Sequence, residues 1–266
     1  FLHPSKGPVG RAVVHITTMT PAVTSIAVAF LVLVACTAAD DKLPPYIRQC
    51  KENDPKLVDC IIKSLHHLKP YLAKGIPDIE MPSIEPFRLD ALSLSLTGGP
   101  RGYKITLLDS DMFGASTFSV KKIKLGNPFE ATINIPKMTM DSHYKSSGVL
   151  LVIPASGNGT FHASMDDVTA LVKGTTSTRT KNGEEYMHVD KLDLDLVIRN
   201  IHMTVSKIFN DNRVLTEATN LFLRENGQEV LNIMMPQLRV KLANVFKDVT
   251  NKLLAHVPKK SFVISK

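Results

Sequence analysis

The sequence lacks the short motifs on which most catalysts depend. Ser156 sits in Ala155-Ser156-Gly157-Asn158-Gly159, not in the G-x-S-x-G elbow that exposes a nucleophile. Gly98-Gly99-Pro100 has no following G-K-[ST], so no phosphate loop is present. Asp109-Ser110-Asp111 lacks the remaining ligands of a calcium loop. Only three cysteines occur, and neither a second Cys pair nor an HxxxH accompanies Cys50 and Cys60, which argues against zinc. His66-His67 has no companion at ligand spacing and reads as surface histidine. The basic groups Lys121-Lys122-Ile123-Lys124 and Lys259-Lys260 lack the interleaved aromatics of a nucleic-acid platform and read as solvated faces. No linker, low-complexity tract or internal repeat divides the chain. These absences exclude the common enzyme classes and imply neither cofactor, metal nor nucleic acid.

What is present begins near the front. Residues 21–39 carry no charge, have an apolar centre at 26–34, and end in small residues followed by Asp40-Asp41, the pattern of a cleaved secretory signal. Met19 reads as the initiator, so residues 1–18 are an upstream extension, 19–39 the signal peptide and 40–266 a single domain. A membrane anchor competes, but a span needs about 20 predominantly apolar residues and this core is shorter. Cleavage removes Cys36 and leaves Cys50 and Cys60 as an even pair, for which a disulfide is the default outside the cytosol and two buried thiols the alternative. Asn158-Gly159-Thr160 is a glycosylation sequon in a turn-rich stretch, occupied or not. The excised segment holds Lys6 and Arg11 and no acid, so the formal net charge falls from +7 to +5.

Periodicity sorts the remainder into three zones. Apolar residues at 57, 58, 61, 62, 65 and 68 have helical spacing, with Asp54-Pro55 as a start and Gly75 as a stop. From Phe87 to Val205, strict alternation at Leu92-Ser93-Leu94-Ser95-Leu96 and from Leu192 to Ile198 predicts antiparallel strands with one buried face. Asp193 and Asp195 fall on the wet face. A change of phase at Lys121-Lys122 predicts a bulge that bends the sheet. Finally, apolar residues at 218, 221, 222, 231, 234, 235, 238, 242, 245, 246, 249 and 253 predict one long helix over about 215–257, kinked or divided at Pro236. Its stripe needs a cover, and only the apolar sheet faces are large enough.

Particular residues carry a resemblance to a known family. Cys50 and Cys60 flank the start of the first helix. Gly75-Ile76-Pro77, Pro82, Pro86 and Leu89 then follow in order, as do Gly148 to Gly159 and the segment from Phe222 through Asn226 to Met235-Pro236. From about Leu43 to Phe262 the chain resembles the takeout and juvenile-hormone-binding proteins of insects. Gly227 stands where that family often has an aromatic residue, and residues 261–266 lack its usual acidic-aromatic ending. The resemblance implies an α+β fold of the takeout-like, TULIP type, in which a highly curved antiparallel sheet wraps a long C-terminal helix and encloses a hydrophobic tunnel. It also implies a secreted, monomeric, non-enzymatic carrier of a small hydrophobic ligand, without cofactor and without an integral membrane anchor after signal cleavage.

Candidate lining residues are Leu92, Leu94, Phe118, Ile133, Met138, Leu194, Leu196, Leu221, Met234, Leu238, Leu242 and Phe246. Any folded core needs apolar residues there, so lining and plain packing both remain open. Methionines at 138, 140, 203, 234 and 235 suit an adaptable wall. Tyr103, Tyr144 and Tyr186 read as polar anchors or as sheet-rim residues. The competing function is a surface-active or membrane-interacting lipid-binding protein that uses an exposed apolar patch and its positive charge instead of a closed tunnel.

Overall fold

Alternation of apolar and polar residues builds most of this molecule. The computed structural model describes residues 43–95, 102–150, 153–154, 156–207 and 212–264. The expected extension and signal segment, 1–39, lie outside the described residues. By contact the chain separates into Phe1–Leu43 and Pro44–Lys266, and all of the helices and strands named below belong to the second unit. In chain order, β1 (Cys50–Lys51) precedes helix α1 (Leu57–Lys74). Strands β2 (Phe87–Ser95), β3 (Lys104–Phe113), β4 (Ser119–Lys124) and β5 (Phe129–Ser147) come next. A short ribbon, β6 (Val149–Leu150) and β7 (Ile153–Pro154), leads to β8 (Gly157–Lys181) and β9 (Glu184–Val205). Helix α2 (Arg213–His256) and β10 (Val263–Ile264) end the chain.

Six strands form one antiparallel sheet in the order β2-β3-β5-β8-β9, with β4 also beside β5. Leu194, Leu196 and Ile198 are buried while Asp193, Asp195 and Val197, which alternate with them, are exposed. The bulge expected near Lys121-Lys122 is present as a register shift between Val120 and Lys122. Strands β5, β8 and β9 span 19, 25 and 22 residues, far beyond the usual 3–10. Paired strands of that length accumulate right-handed twist and cannot remain flat.

The curl is closed by helix α2, which takes hold of both outermost strands. An open sheet leaves unpaired N–H and C=O groups along each edge. On β9, the Val205 N–H donates to Asn220 Oδ1 at 2.8 Å and Asn220 Nδ2 donates back to the Val205 carbonyl at 2.9 Å. Asn251 grips Val189 in the same way, at 2.8 and 3.0 Å. On β2, Gln237 holds Ser95 through bonds of 3.0 and 2.7 Å. Each side-chain amide thus supplies the donor and acceptor that a neighbouring strand residue would offer.

The helix departs from expectation where it breaks. Asn226 has non-helical φ/ψ (−121°, 18°), whereas Pro236 lies within the helix. Asn226 donates its side-chain amide to the Phe222 carbonyl, and the buried Gly227 approaches β9 so closely that a Cβ would sit 3.3 Å from the Ile201 oxygen. Close approach, rather than proline, sets the break.

Helix α1 begins at Leu57, two residues after Pro55, because the Asp54 carboxylate accepts the Lys56 N–H in a turn before it. Its His66 Nε2 accepts the Val120 N–H at 2.9 Å, so this histidine covers the outer edge of β4. Cys50 and Cys60 form a disulfide, and Cys50 pairs with Val263, joining the front of the unit to its end. The bridged residues are 10 apart, for which the chain-entropy account gives about 2.7 kcal/mol. A Cys50→Ala/Cys60→Ala double variant should lose roughly 2–3 kcal/mol of unfolding free energy in denaturant titration.

Candidate functional site

Two apolar clusters pack between the sheet and α2. Leu92, Leu94 and Met234 meet Tyr103, Leu107, Tyr144 and Met203 in the first. Met138, Leu194 and Leu196 meet Leu231, Met235 and Ala243 in the second, with Leu242 packed against them. Leu238, Met140 and Ile201 touch both clusters and form the junction between them. Ile133 pairs with Ala170 and Val120 on the same sheet face as Leu196. Phe246 is partly exposed but stacks on Phe87, with ring centroids 6.4 Å apart.

Two of the residues expected from sequence lie elsewhere. Phe118 faces α1, beside the His66 ring and with Lys69 Nζ 5.3 Å from its ring centroid, because the turn before β4 carries it under that helix. Leu221 is 49% exposed. On either side of the break, Asn220 and Gly227 hold inward positions of α2, Asn220 to clip β9 and Gly227 to approach it, so the apolar residues 221 and 222 are turned outward.

Seven of the ten methionines, at 112, 138, 140, 165, 203, 234 and 235, belong to these two clusters. Unbranched thioethers rearrange at low cost and suit a wall that must fit more than one shape. Five of them stand out in the sequence; Met112 and Met165 are legible only through strand phase.

The tyrosines separate by role. Tyr144 is 1% exposed and donates its hydroxyl to the Ser206 carbonyl at 2.9 Å. Burial first, and the adjacent Tyr103 second, push its phenol up to about 12. Burial also raises Tyr103, against an opposing hydrogen bond from Ser146. Both are core residues rather than rim residues, and Tyr186 is partly buried on β9 opposite Arg179. Because the folded pKa of Tyr144 is raised, its contribution is complete below the ordinary phenol range and is lost as pH rises toward 12. Ultraviolet titration should find a tyrosine that ionises only there. Tyr144→Phe should cost about 1 kcal/mol near neutrality and weaken this alkaline dependence.

A cleft of about 590 Å³ opens where β4, β5, β8 and β9 approach Arg239 of α2. Val172 and Leu194, members of the interior packing, form part of its wall. Asn158 is exposed at the start of β8. Among the described residues no group of three or more His, Cys, Asp or Glu is placed to hold a metal, and no helix is long and apolar enough to cross a membrane.

The comparisons with known proteins agree with this architecture. A family model described as haemolymph juvenile hormone binding protein matches residues 29–264. The circadian clock-controlled protein daywake of Drosophila melanogaster is 23% identical over 247 residues, covering 88% of this chain and 94% of that protein. Its Drosophila yakuba counterpart is 21% identical over 235 residues, covering 84% and 89%. Takeout 1 of Epiphyas postvittana superposes with a TM-score of 0.70 at 18% identity, over 82% of this chain and all of that one, and shares its fold. The chain therefore belongs to the haemolymph juvenile hormone binding protein family, the takeout group of hydrophobic-ligand-binding proteins.

Proposed function

We propose that this protein is a secreted, non-catalytic carrier that encloses one small hydrophobic molecule, a terpenoid ester, fatty acid or other lipid, in a tunnel between the curled sheet and α2. The methionine-rich interior supports this most directly, because a core that only had to pack would gain more uniqueness from branched side chains. The wall comprises the inward residues above, from Leu92 and Leu94 through Met138, Leu194 and Leu196 to Met234, Leu238 and Leu242. Secretion rests on the signal-like segment 19–39 and on the disulfide, which belongs to oxidising compartments. The exposed Asn158 is proposed to be glycosylated, and the carrier to act as a monomer of residues 40–266.

Energetics set the affinity range. Burying about ten CH₂ groups gives roughly 8 kcal/mol, opposed by an association cost of at least about 4 kcal/mol. A purely apolar ligand of that size binds weakly, so a useful carrier takes a longer chain or fixes a polar head.

A surface-active reading has one observation in its favour: Val214, Leu221, Phe222, Ile233 and Val240 are exposed on α2. Fluorescent fatty-acid displacement and vesicle sedimentation separate the two. A carrier saturates at one ligand per chain and stays in the supernatant of neutral and anionic vesicles. Salt-sensitive sedimentation without saturable binding would replace the carrier with the membrane binder.

A further inference from the structure

Ser110, Ser142 and Ser261 are the buried polar side chains among the described residues, and the first two meet inside the curled sheet. On β3 the inward stripe runs Ile105, Leu107, Ser110, Met112, and on β5 it runs Met138, Met140, Ser142, Tyr144. The step of three from Leu107 to Ser110 is a bulge, marked by the register shift between Leu108 and Asp111 and by a φ of 49° at Asp109. Leu107 and Tyr144 belong to one apolar cluster and Met112 and Met138 to the other, while Met140 touches both. The serine pair therefore lies at the level where the two clusters join. Two short hydroxymethyl groups stand there, between levels that carry leucine, methionine and tyrosine.

The hydrogens of this pair run in one direction. A hydroxyl has one hydrogen to donate and two lone pairs that accept. Ser110 Oγ donates to Ser142 Oγ at 3.0 Å, and Ser142 Oγ has the Leu108 carbonyl at 3.0 Å and the His143 carbonyl at 2.8 Å as acceptors. The bulge accounts for Ser142, which supplies a donor to a carbonyl at the register shift. It does not account for Ser110, since alanine would occupy the same inward position without a desolvated hydroxyl. No donor among the described residues reaches the Ser110 oxygen, so its lone pairs are the open end of the chain. Only a donor extends it, each bond polarising the next down to the carbonyl. Ester, ether and carboxylate oxygens only accept, and a carboxylate would also find no cation on the inward stripes of β3 and β5.

We infer that Ser110 is a specificity-determining residue of the interior, accepting a hydrogen bond from a neutral hydroxyl of the ligand while Ser142 holds its oxygen in place. With apolar clusters to either side, that hydroxyl lies within the ligand's chain and not at its end. This rests on the carrier reading and narrows its ligand class to lipids hydroxylated in mid-chain.

Methyl ricinoleate and methyl oleate, which differ by one mid-chain hydroxyl, test it by displacement of a fluorescent fatty acid from the purified protein. Methyl ricinoleate should bind at least as tightly as methyl oleate, whereas a hydroxyl buried without a partner would weaken it at least about fivefold. Ser110→Ala should impose that loss on methyl ricinoleate and leave methyl oleate affinity intact, which also shows that the variant is folded. Ser110→Thr, which keeps the hydroxyl on a β-branched residue suited to a strand, should restore it. Weaker binding of methyl ricinoleate in the unaltered protein, or equal effects of Ser110→Ala on the two esters, would overturn the hydroxyl site and leave the carrier standing. Binding of neither ester would overturn both.

Discussion

Asn251→Leu should lower the unfolding free energy by about 2–4 kcal/mol, since it strips partners from both backbone groups of Val189. Val189 is 3% exposed, so water does not replace them. For a domain of this size each kcal/mol moves the melting temperature by about 2–4 °C, which predicts a fall of roughly 5–15 °C by calorimetry. Asn226→Ala is the control. Its amide makes one bond to Phe222 in an exposed setting, and surface changes of that kind stay within about 0.5 kcal/mol. Equal melting temperatures for the two variants would show that the edge of β9 is held by apolar packing and not by the amide clip.

The second large effect concerns binding rather than stability. Met140 packs against both interior clusters, so a ligand long enough to reach from one to the other must displace its thioether. Met140→Trp puts a rigid indole at that junction. Long-chain fatty-acid affinity should fall more than about tenfold, or about 1.4 kcal/mol, with a stability loss of about 1–3 kcal/mol from overpacking. Met140→Leu, nearly volume-conserving, should change stability by less than about 1.5 kcal/mol and leave most of the binding. Undiminished affinity in Met140→Trp would place the ligand outside this junction.

How far the sequence exposes this arrangement depends on whether a residue is placed by periodicity or by a partner distant in the chain. The alternations at 92–94 and 192–198 have a period of two, and the structure buries Leu92, Leu94, Leu194, Leu196 and Ile198 and partly buries Leu192. The bulge at Lys121-Lys122 is visible because two short apolar runs are out of phase. The same counting goes astray over 218–227, where inward positions of α2 belong to Asn220 and Gly227, one needed for hydrogen bonds and the other for its missing Cβ. Alternation points Phe118 inward, yet contact with α1 decides its place. Pro236 looks like the obvious break, but the position of β9 beneath Gly227 is not written locally. Ser110 escapes a search for apolar stripes, and only the bulge beside Asp109 turns it inward between Leu107 and Met112.

The central claim is that a hydrophobic molecule lies between the sheet and α2. Native mass spectrometry of the protein secreted from insect cells, before and after organic extraction, tests it most directly. The expected result is a mass excess of one small lipid per chain that extraction removes and reloading restores, and that Met140→Trp fails to retain. A chain of bare polypeptide and glycan mass that accepts neither fatty acids nor terpenoid esters after extraction would contradict it.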